Sequence, residues 1–247
     1  MRRRLDQELL RRGLVPSRTA GREAIEAGLV LVDGVTASTP ARMVAPEQAV
    51  HLQAHPRKFV SRGGIKLEQA LEEFAIGVSG MRCLDVGAST GGFTDCLLQR
   101  GAISVVAIDV GYGQIDWKLR QDERVDVRER VNVRTCDAES LGGPFDVIVV
   151  DVSFISLRLL VTQFKALMHS DTRLVMLIKP QFEVGRGSVG AGGIVTNPEA
   201  RDRSVREVTE AFGDCGLPFR GLIESPLRGA DGNTEYLAWA KLEEAPV

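Results

Sequence analysis

The chain has 247 residues, of which 44% are hydrophobic and 26% charged, a composition typical of a globular protein with room for one sizeable domain and a small one. No apolar run approaches the ~20 residues of a membrane span, and no apolar segment typical of a signal peptide follows the Arg-rich start, so we expect a cytoplasmic protein without membrane contact. The scattered cysteines and histidines form neither a disulfide framework nor a metal-ligand set, so we expect no bound metal. Net charge is −2, yet residues 1–62 hold 11 Lys and Arg against 6 Asp and Glu, which favours an anionic partner such as nucleic acid for that part, although a plain surface bias is the alternative.

Residues 1–56 are predicted to form a small α+β domain. Leucines at helical spacing over residues 5–14 predict one helix, and a second helix is predicted from Ser17 to Gly28. The Asp33-Gly34 pair predicts a tight hairpin, and residues 50–52 predict a further strand.

This arrangement, with the segments RLDQELLRRGLVPSR and AIEAGLVLVDG, resembles the S-four domain, a small RNA-binding module. The resemblance implies that a basic helical face meets the RNA backbone, and the arginines available for it are Arg4, Arg11, Arg12, Arg18 and Arg22. Contacts to phosphates would give affinity with little base specificity. The alternative is that these arginines form only a solvated helix face.

Residues 57–60 are predicted to be an ordered interdomain linker, and residues 61–247 a second domain. After a predicted helix at about 64–75, strands and helices alternate. Strands are predicted over 82–86, 104–110, 126–132, 145–150, 173–178, 219–225 and 235–241, and helices over 92–100, 156–168 and 199–214. Such alternation predicts a mostly parallel sheet of seven strands covered by helices on both faces, a Rossmann-like α/β fold.

A glycine-rich turn between the first predicted strand and helix of this domain is a candidate cofactor loop, because glycine allows close backbone approach and a helix start offers free N–H groups. The dinucleotide template G-x-G-x-x-G fails, since its third position is Ser89. The form D-x-G-x-x-x-G instead resembles the S-adenosylmethionine loop of class I methyltransferases. The candidate residues are Asp85, Gly87, Ala88, Ser89, Thr90, Gly91, Gly92 and Phe93.

Two further carboxylates are candidate cofactor contacts. Asp109 ends the next predicted strand, 22 positions past Gly87, where it can accept ribose hydroxyls in a methyltransferase or a dehydrogenase alike. Asp137, after the third strand, is a candidate for the adenine edge, with a solvated turn residue as the alternative.

Charged residues directly follow two apolar runs. Asp151 comes after residues 147–150 and Lys179 after residues 174–178, so both are expected at the carboxyl edge of the sheet, where α/β folds bind ligands. A purely structural ion pair between them is the competing interpretation.

The segments SRGGIKL, DVGASTGGFTD, DVGYGQ, DVSFIS, KPQFEVG and GNTEY occur in the order and spacing of the TlyA family, hemolysin-A-like ribosomal RNA 2′-O-methyltransferases that join an S-four domain to an FtsJ-like methyltransferase domain. The resemblance, which covers nearly the whole chain, implies S-adenosylmethionine as cofactor, a cytidine in ribosomal RNA as substrate, and the catalytic tetrad Lys66, Asp151, Lys179 and Glu235.

The chemistry of methyl transfer to a hydroxyl gives this tetrad a physical sense, because the acceptor oxygen must lose its proton. Lys179 is the candidate proton acceptor, which requires burial or the cation Lys66 to favour its neutral form. Asp151 would hold Lys179, while Glu235 and Lys66 would fix the ribose.

A Gly-rich stretch over residues 185–193 is predicted to be a mobile rim of the acceptor site. The candidates for gripping nearby phosphates are Arg62, Arg130, Arg134 and Arg186, with plain surface charge as the alternative.

The chain departs from the family at the linker, where Phe59 stands for a tryptophan, and it lacks a final helix after the last strand. The shorter form resembles members that modify the large ribosomal subunit only, although the Arg2-Arg3-Arg4 start resembles members that modify both subunits. We therefore expect the large subunit as substrate, with the small subunit as a second candidate. Three other functions are weighed: a non-catalytic RNA-binding assembly factor, a dehydrogenase, and a membrane-active hemolysin.

Overall fold

The chain forms two compact units in a computed structural model, Met1–Arg57 and Lys58–Val247, which are treated separately below. The structure describes residues 2–26, 28–53, 58–185, 187, 189–229 and 231–243. Arg57 of the predicted linker and Arg186 of the predicted rim lie outside the described residues. Within the described ranges, no helix combines the length and apolar character needed to cross a membrane.

The first unit is a small α+β fold, as predicted. Its elements are β1 (Arg3–Arg4), α1 (Leu5–Arg11), α2 (Arg18–Glu26), β2 (Val30–Val32), β3 (Val35–Thr36), β4 (Met43–Val44) and β5 (Val50–Leu52). The strands form a β1-β4 pair and a β3-β2-β5 sheet around fully buried Leu5, Leu9 and Ile25. Asp33 and Gly34 turn the β2-β3 hairpin with φ of 51° and 80°, the left-handed backbone that a two-residue hairpin turn requires.

The second unit is a doubly wound α/β fold. Its strands are β6 (Arg82–Val86), β7 (Ser104–Asp109), β8 (Val125–Glu129), β9 (Phe145–Val150), β10 (Met168–Ile178), β11 (Phe219–Glu224) and β12 (Tyr236–Ala240). Its helices are α3 (Gly63–Glu73), α4 (Gly92–Gln99), α5 (Trp117–Arg120), α6 (Val161–Ala166), α7 (Pro180–Glu183) and α8 (Pro198–Asp214).

The seven strands form one sheet in the order β11-β12-β10-β9-β6-β7-β8. The strands from β10 to β8 run parallel, whereas β12 is antiparallel to both β10 and β11. The predicted mostly parallel seven-stranded sheet is thus confirmed. The order reverses between β6 and β9, and such a switch point is where open α/β sheets bind ligands.

Two apolar cores cover the two faces of this sheet, as predicted. On one face, Phe164 of α6 and Phe212 of α8 pack against the strands, and on the other face Leu67 of α3 and Leu97 of α4 do so. All four side chains are fully buried. Both faces of the sheet are therefore covered, and only the ends of its strands are open to a ligand.

The differences from prediction lie in short elements. The helix predicted over 156–168 is a 3₁₀ turn at Leu157–Leu159 followed by α6, and β10 begins at Met168 because its first residues pair with the start of β9. The four-residue helices α5 and α7 were not predicted, since one turn shows no helical periodicity.

Candidate active site

Four charged side chains converge at the carboxyl edge of the sheet. Asp151 follows β9 and Lys179 follows β10. Glu235 precedes β12, and because that strand runs antiparallel to β10, with Tyr236 opposite Ile178, its beginning lies at this same edge. Lys66 comes from the first turns of α3 and faces the edge from one side of the sheet.

These four residues form two ion pairs. Lys66 Nζ lies 2.5 Å from Glu235 Oε2, and the two side chains are only 10% and 3% exposed. Lys179 Nζ lies 2.6 Å from Asp151 Oδ1 and donates a hydrogen bond of 2.9 Å to Ser153 Oγ. Each ammonium group therefore has its own carboxylate, so the buried charges balance within each pair.

All four residues line one cavity of about 310 Å³, which we call the acceptor cavity. The remaining lining residues are Ser61, Arg62, Gly63, Gly87, Ala88, Ser89, Thr90 and Phe93. The Arg62 side chain is exposed, whereas Phe93 is buried beneath the wall. The cavity is thus polar at the tetrad and has a cation at its mouth.

A second cavity of about 280 Å³, the cofactor cavity, adjoins the first and shares Gly87, Ser89 and Asp151 with it. Its walls are largely apolar and come from the ends of β6 and β7 and from the segments that follow β6, β7, β8 and β9. These lining residues include Val86, Ile108, Val131, Val133, Val152 and Ile155. An apolar slot with a few polar groups suits a flat heteroaromatic ring.

Asp109 supplies the carboxylate of the cofactor cavity. Its Oδ2 accepts the Ser89 N–H at 2.7 Å and its Oδ1 accepts the Gly111 N–H at 2.6 Å, which ties the two loops of the cavity together. Each carboxylate oxygen keeps a free lone-pair direction, so Asp109 can still accept two ribose hydroxyls.

Glycine is required at two points of the predicted cofactor loop. Gly87 has a φ of +86°, and a Cβ there would overlap the carbonyl oxygen of Asp151. Gly91, with a φ of +93°, caps α4 and leaves no room for a Cβ beside Leu119. The loop is therefore a close backbone cradle between the two cavities, which fits a nucleoside cofactor.

Asp85 does not face either cavity. The residue is fully buried below the loop, where its Oδ2 accepts hydrogen bonds from the N–H and the hydroxyl of Thr94 at 2.9 and 2.6 Å. Burial, reinforced by the nearby carboxylates of Asp151 and Asp109 and opposed by the Thr94 hydrogen bonds, raises the pKa of Asp85 to about 7. Asp85 therefore does not make the predicted direct contact with the cofactor, and its hydrogen bonds to Thr94 stabilise the start of α4.

The structure does not bring Asp137 to the cofactor cavity. Its side chain is exposed and accepts the N–H of Glu139 at 3.3 Å, while Asn132 and Val133 line the wall. Its position is that of the alternative, a solvated turn residue.

Gln114 also lines the cofactor cavity and accepts a 3.3 Å hydrogen bond from Ser89 Oγ, a contact that no spacing in the sequence indicated.

Phe154 is the most exposed large apolar side chain of the described residues, at 91%. It has a φ of +65°, lines the cofactor cavity, and its ring lies 5.1 Å from the ring of Phe182. A non-glycine residue with a left-handed backbone is held there by its surroundings, and such strain is concentrated at functional sites.

The arginines predicted to contact RNA in the second unit lie in different settings. Arg62 lines the mouth of the acceptor cavity. The Arg130 guanidinium stacks over the exposed Tyr112 ring at 4.5 Å, and Arg134 is exposed. Each of these three can be approached by a polyanion.

In the first unit the predicted arginines surround two buried carboxylates. Asp6 Oδ2 accepts hydrogen bonds of 3.0 Å from both Arg4 and Arg18. Glu8 binds Arg11 at 2.6 Å, and hydrogen bonds from Arg11, assisted by Arg12, lower the pKa of Glu8 to about 2. The carboxylates fix the arginines in place while their outer faces stay exposed.

No group of three or more His, Cys, Asp or Glu side chains that could hold a metal ion occurs among the residues that the structure describes. The sheet edge presents two amines, two carboxylates and an adjoining nucleoside-sized cavity.

Comparison with known families matches both units. The FtsJ-like methyltransferase model matches residues 59–242 and the S4 domain model, the S-four module, matches residues 3–50. The 16S/23S rRNA (cytidine-2′-O)-methyltransferase TlyA of Mycobacterium tuberculosis is 49% identical over 98% of this chain and 91% of its own length. The 23S rRNA (cytidine-2′-O)-methyltransferase TlyA of Campylobacter jejuni is 35% identical over 72% of this chain and 69% of its own length.

A solved structure from Streptococcus thermophilus, described as a candidate hemolysin, is 38% identical, with a TM-score of 0.74 over 99% of this chain and 90% of that one. Sheet order, glycine loop and adjoining cavities define a Rossmann-like class I methyltransferase with an amino-terminal S4 domain. The chain belongs to the TlyA family, whose predicted resemblance is confirmed.

Proposed function

We propose that this enzyme transfers a methyl group from S-adenosylmethionine to the 2′-hydroxyl of a cytidine in ribosomal RNA. The observation that carries the proposal is the convergence of Lys66, Asp151, Lys179 and Glu235 on one cavity that shares the Gly87 loop with an adjoining nucleoside-sized cavity. The names of the M. tuberculosis and C. jejuni relatives supply the substrate class.

S-adenosylmethionine, when bound, supplies an electrophilic methyl group. We propose that the backbone of Gly87–Thr90 holds its amino-acid part and that Asp109 accepts its ribose hydroxyls. Gly91, Gly92 and Phe93 shape the cradle from below, since Phe93 is buried and Gly91 is the N-cap of α4. The apolar walls around Ile108 and Val133 favour the adenine ring.

Lys179 and Asp151 are proposed to remove the proton of the acceptor hydroxyl. Lys179 Nζ lies 2.6 Å from Asp151 Oδ1, close enough for a proton to pass between them. The lysine then takes the hydroxyl proton at Nζ as it passes one of its own protons to Asp151 Oδ1, so the pair ends with one added proton on the carboxyl group. Ser153 Oγ, 2.9 Å from Nζ, fixes the direction of the amine during this exchange.

Lys66 and Glu235 are proposed to fix the acceptor ribose. They lie in the same cavity, more deeply buried than the other pair, and present one donor and one acceptor to the sugar hydroxyls. Holding the oxygen in line with the methyl carbon supplies several kcal/mol of barrier reduction. Burial of this pair keeps both groups in one geometry.

The RNA is proposed to contact both units. Residues 1–56 would bind the RNA backbone through Arg4, Arg11 and Arg18, residues 57–60 would link the units, and residues 61–247 would carry out the transfer. In the second unit, Arg62 at the cavity mouth, with Arg130 and Arg134, would hold the phosphates around the target nucleotide.

We propose the large ribosomal subunit as the main substrate, because 23S rRNA is common to the names of both relatives whereas 16S rRNA occurs in one. We also propose a cytoplasmic location, since the proposed substrate is a ribosomal subunit. The small subunit is the second substrate to be tested.

The test is to incubate the protein with labelled S-adenosylmethionine and separate large and small subunits that lack the modification, and then to map the label. We expect label on the 2′-oxygen of a cytidine in the large subunit. Label on a base instead of a ribose would contradict the proposed acceptor, and no label on either subunit would favour a non-catalytic assembly factor.

A further inference from the structure

Two loops at the sheet edge run side by side beyond the catalytic pairs. One follows β9 from Asp151 to Ser156, and the other follows β10 from Lys179 through the short helix α7 to Glu183. They are joined at the base by the Lys179–Asp151 ion pair and in the middle by the Phe154–Phe182 ring contact.

Glu183 joins the far ends of the two loops. Its Oε2 accepts the Ser156 hydroxyl at 2.5 Å and its Oε1 accepts the Leu157 N–H at 2.8 Å. Arg158 donates a 3.0 Å hydrogen bond to the Glu183 carbonyl oxygen and places Nε 3.5 Å from its carboxylate. The Glu183 side chain is 1% exposed, so these contacts are formed without competing water.

The position of this link matters because the loop it closes is strained. Phe154, in the middle of the first loop, has a left-handed backbone and an exposed ring at the cofactor cavity. Ser153, its neighbour, directs Lys179. A loop of this kind keeps its conformation only when both ends are fixed, and sheet pairing fixes the Asp151 end alone.

We infer that Glu183 is a positioning residue for the transfer step, which holds Ser153 and Phe154 in the geometry that directs Lys179 toward the acceptor. The inference depends on the proposed function, since it assigns Glu183 an effect on Lys179 and not a contact with substrate. Glu183 itself lines neither cavity, but the loop that it fixes lines the cofactor cavity from Val152 to Ile155, so its loss should weaken cofactor binding less than it lowers kcat.

The test compares Glu183→Ala and Glu183→Gln with the control Glu207→Ala. Glu207 also binds Arg158, at 2.9 Å, but its side chain is 42% exposed and contacts neither loop through that bond. Glutamine can accept the Leu157 N–H and donate to Ser156 Oγ, so it preserves the link. The measurements are kcat, KM for the subunit, the dissociation constant for S-adenosylmethionine, and amide hydrogen exchange over residues 152–158.

We expect Glu183→Ala to lower kcat by about 10-fold to 100-fold, the effect of a small misplacement, with KM for the subunit near wild type and a smaller loss of cofactor affinity. Exchange over residues 152–158 should accelerate in that variant only. Glu183→Gln should recover most of kcat, and Glu207→Ala should resemble wild type.

A wild-type kcat in Glu183→Ala would overturn the positioning role while leaving the proposed function intact. Equal loss of cofactor affinity and kcat, without rescue by glutamine, would also overturn it in favour of general destabilisation. A wild-type protein that methylates neither subunit would refute the proposed function. Amide hydrogen exchange over residues 152–158 would then still show whether Glu183 holds the loop in place. Should Glu183→Ala fail to fold, Ser156→Ala removes one of the two side-chain hydrogen bonds, and an unchanged kcat there would overturn the inference.

Discussion

Lys66 and Glu235 lie 169 residues apart in the chain and yet form a buried ion pair with 2.5 Å between Nζ and Oε2. The pair joins the first helix of the methyltransferase unit to the residue that precedes its last strand. The acceptor cavity is thus closed by a contact between the two ends of this unit.

Removing one partner of this pair should destabilise the protein strongly, because the other charge then stays buried alone. We expect Lys66→Met to lower the free energy of unfolding by about 3 kcal/mol, and Lys66→Met with Glu235→Leu to regain much of that loss. Urea unfolding measures both. The control is Lys58→Met, which breaks the exposed Lys58–Glu68 pair and should cost less than about 1 kcal/mol. An equal loss of unfolding free energy in Lys66→Met and Lys58→Met would contradict the assignment of Lys66 and Glu235 to a buried ion pair.

Replacing Lys179 by alanine should abolish most of the transfer. Loss of a positioned proton acceptor lowers rates by about 100-fold or more, while the cofactor cavity, which Lys179 does not line, should bind S-adenosylmethionine as before. Single-turnover methylation and calorimetry measure the two quantities. Lys165→Ala, an exposed lysine that binds the Cys215 carbonyl, is the control. Near-normal transfer by a folded Lys179→Ala would remove this residue from the mechanism.

Gly87→Ala should damage the cofactor loop by steric overlap. The added Cβ would meet the Asp151 carbonyl, so the variant should lose about 2 kcal/mol more stability than Gly80→Ala and bind S-adenosylmethionine more weakly. Gly80 has a similar φ of +75° with nothing within 4 Å of its Cβ, and it therefore measures backbone strain alone. Thermal unfolding and calorimetry decide, and equal effects at both glycines would show that the close approach is unimportant.

Asp85 should make stability depend on pH near neutrality. Its pKa of about 7 lies above the value of 3.8 for an unperturbed aspartate, so the folded state binds the proton more tightly. The stabilisation is therefore fully present below about pH 4 and is lost as pH rises through 7. Asp85→Asn can still accept from Thr94 and should be more stable than wild type at pH 8, with a smaller difference at pH 5. Urea unfolding at both pH values tests this, and an Asp85→Asn advantage that grows toward low pH would show the opposite sign.

Arg18→Ala should weaken binding of ribosomal RNA and lower the slope of log affinity against log salt by about 1, the effect of one lost phosphate contact. Filter binding at several salt concentrations measures the slope. Arg124→Ala, which removes an exposed arginine paired with Asp122, should leave the slope unchanged. An unchanged slope in Arg18→Ala would assign this arginine to the Asp6 ion pair alone.

Local patterns in the sequence were sufficient to predict the sheet and two charges at its edge, whereas Lys66 and Glu235 came from the family resemblance. Asp151 and Lys179 directly follow apolar runs, and parallel strands bring their carboxyl ends to one edge. The Asp33-Gly34 hairpin was equally local, because only residues tolerant of positive φ adopt such a turn. Patterns of this kind depend on a few neighbouring residues, so they can be recognised from the spacing of residue types in the sequence.

Other features depend on packing that spacing does not record. Asp85 belongs to the loop motif, yet it points into the core toward Thr94, and the direction of a side chain from a buried strand depends on the pleat. Asp137 lies in a turn whose path sets its distance from the cavity, and Asn132 takes the wall instead. The link from Glu183 to Leu157 joins a side chain to a backbone N–H in another loop, which leaves no mark in either local sequence.

The place of β12 between β10 and β11 has a consequence for synthesis of the protein on the ribosome. A nascent chain can pair β9 with β10 early, but Glu235 reaches Lys66 only after this late strand has emerged and inserted between two older neighbours. The acceptor cavity therefore gains the final one of its charged lining residues at one of the last steps of folding.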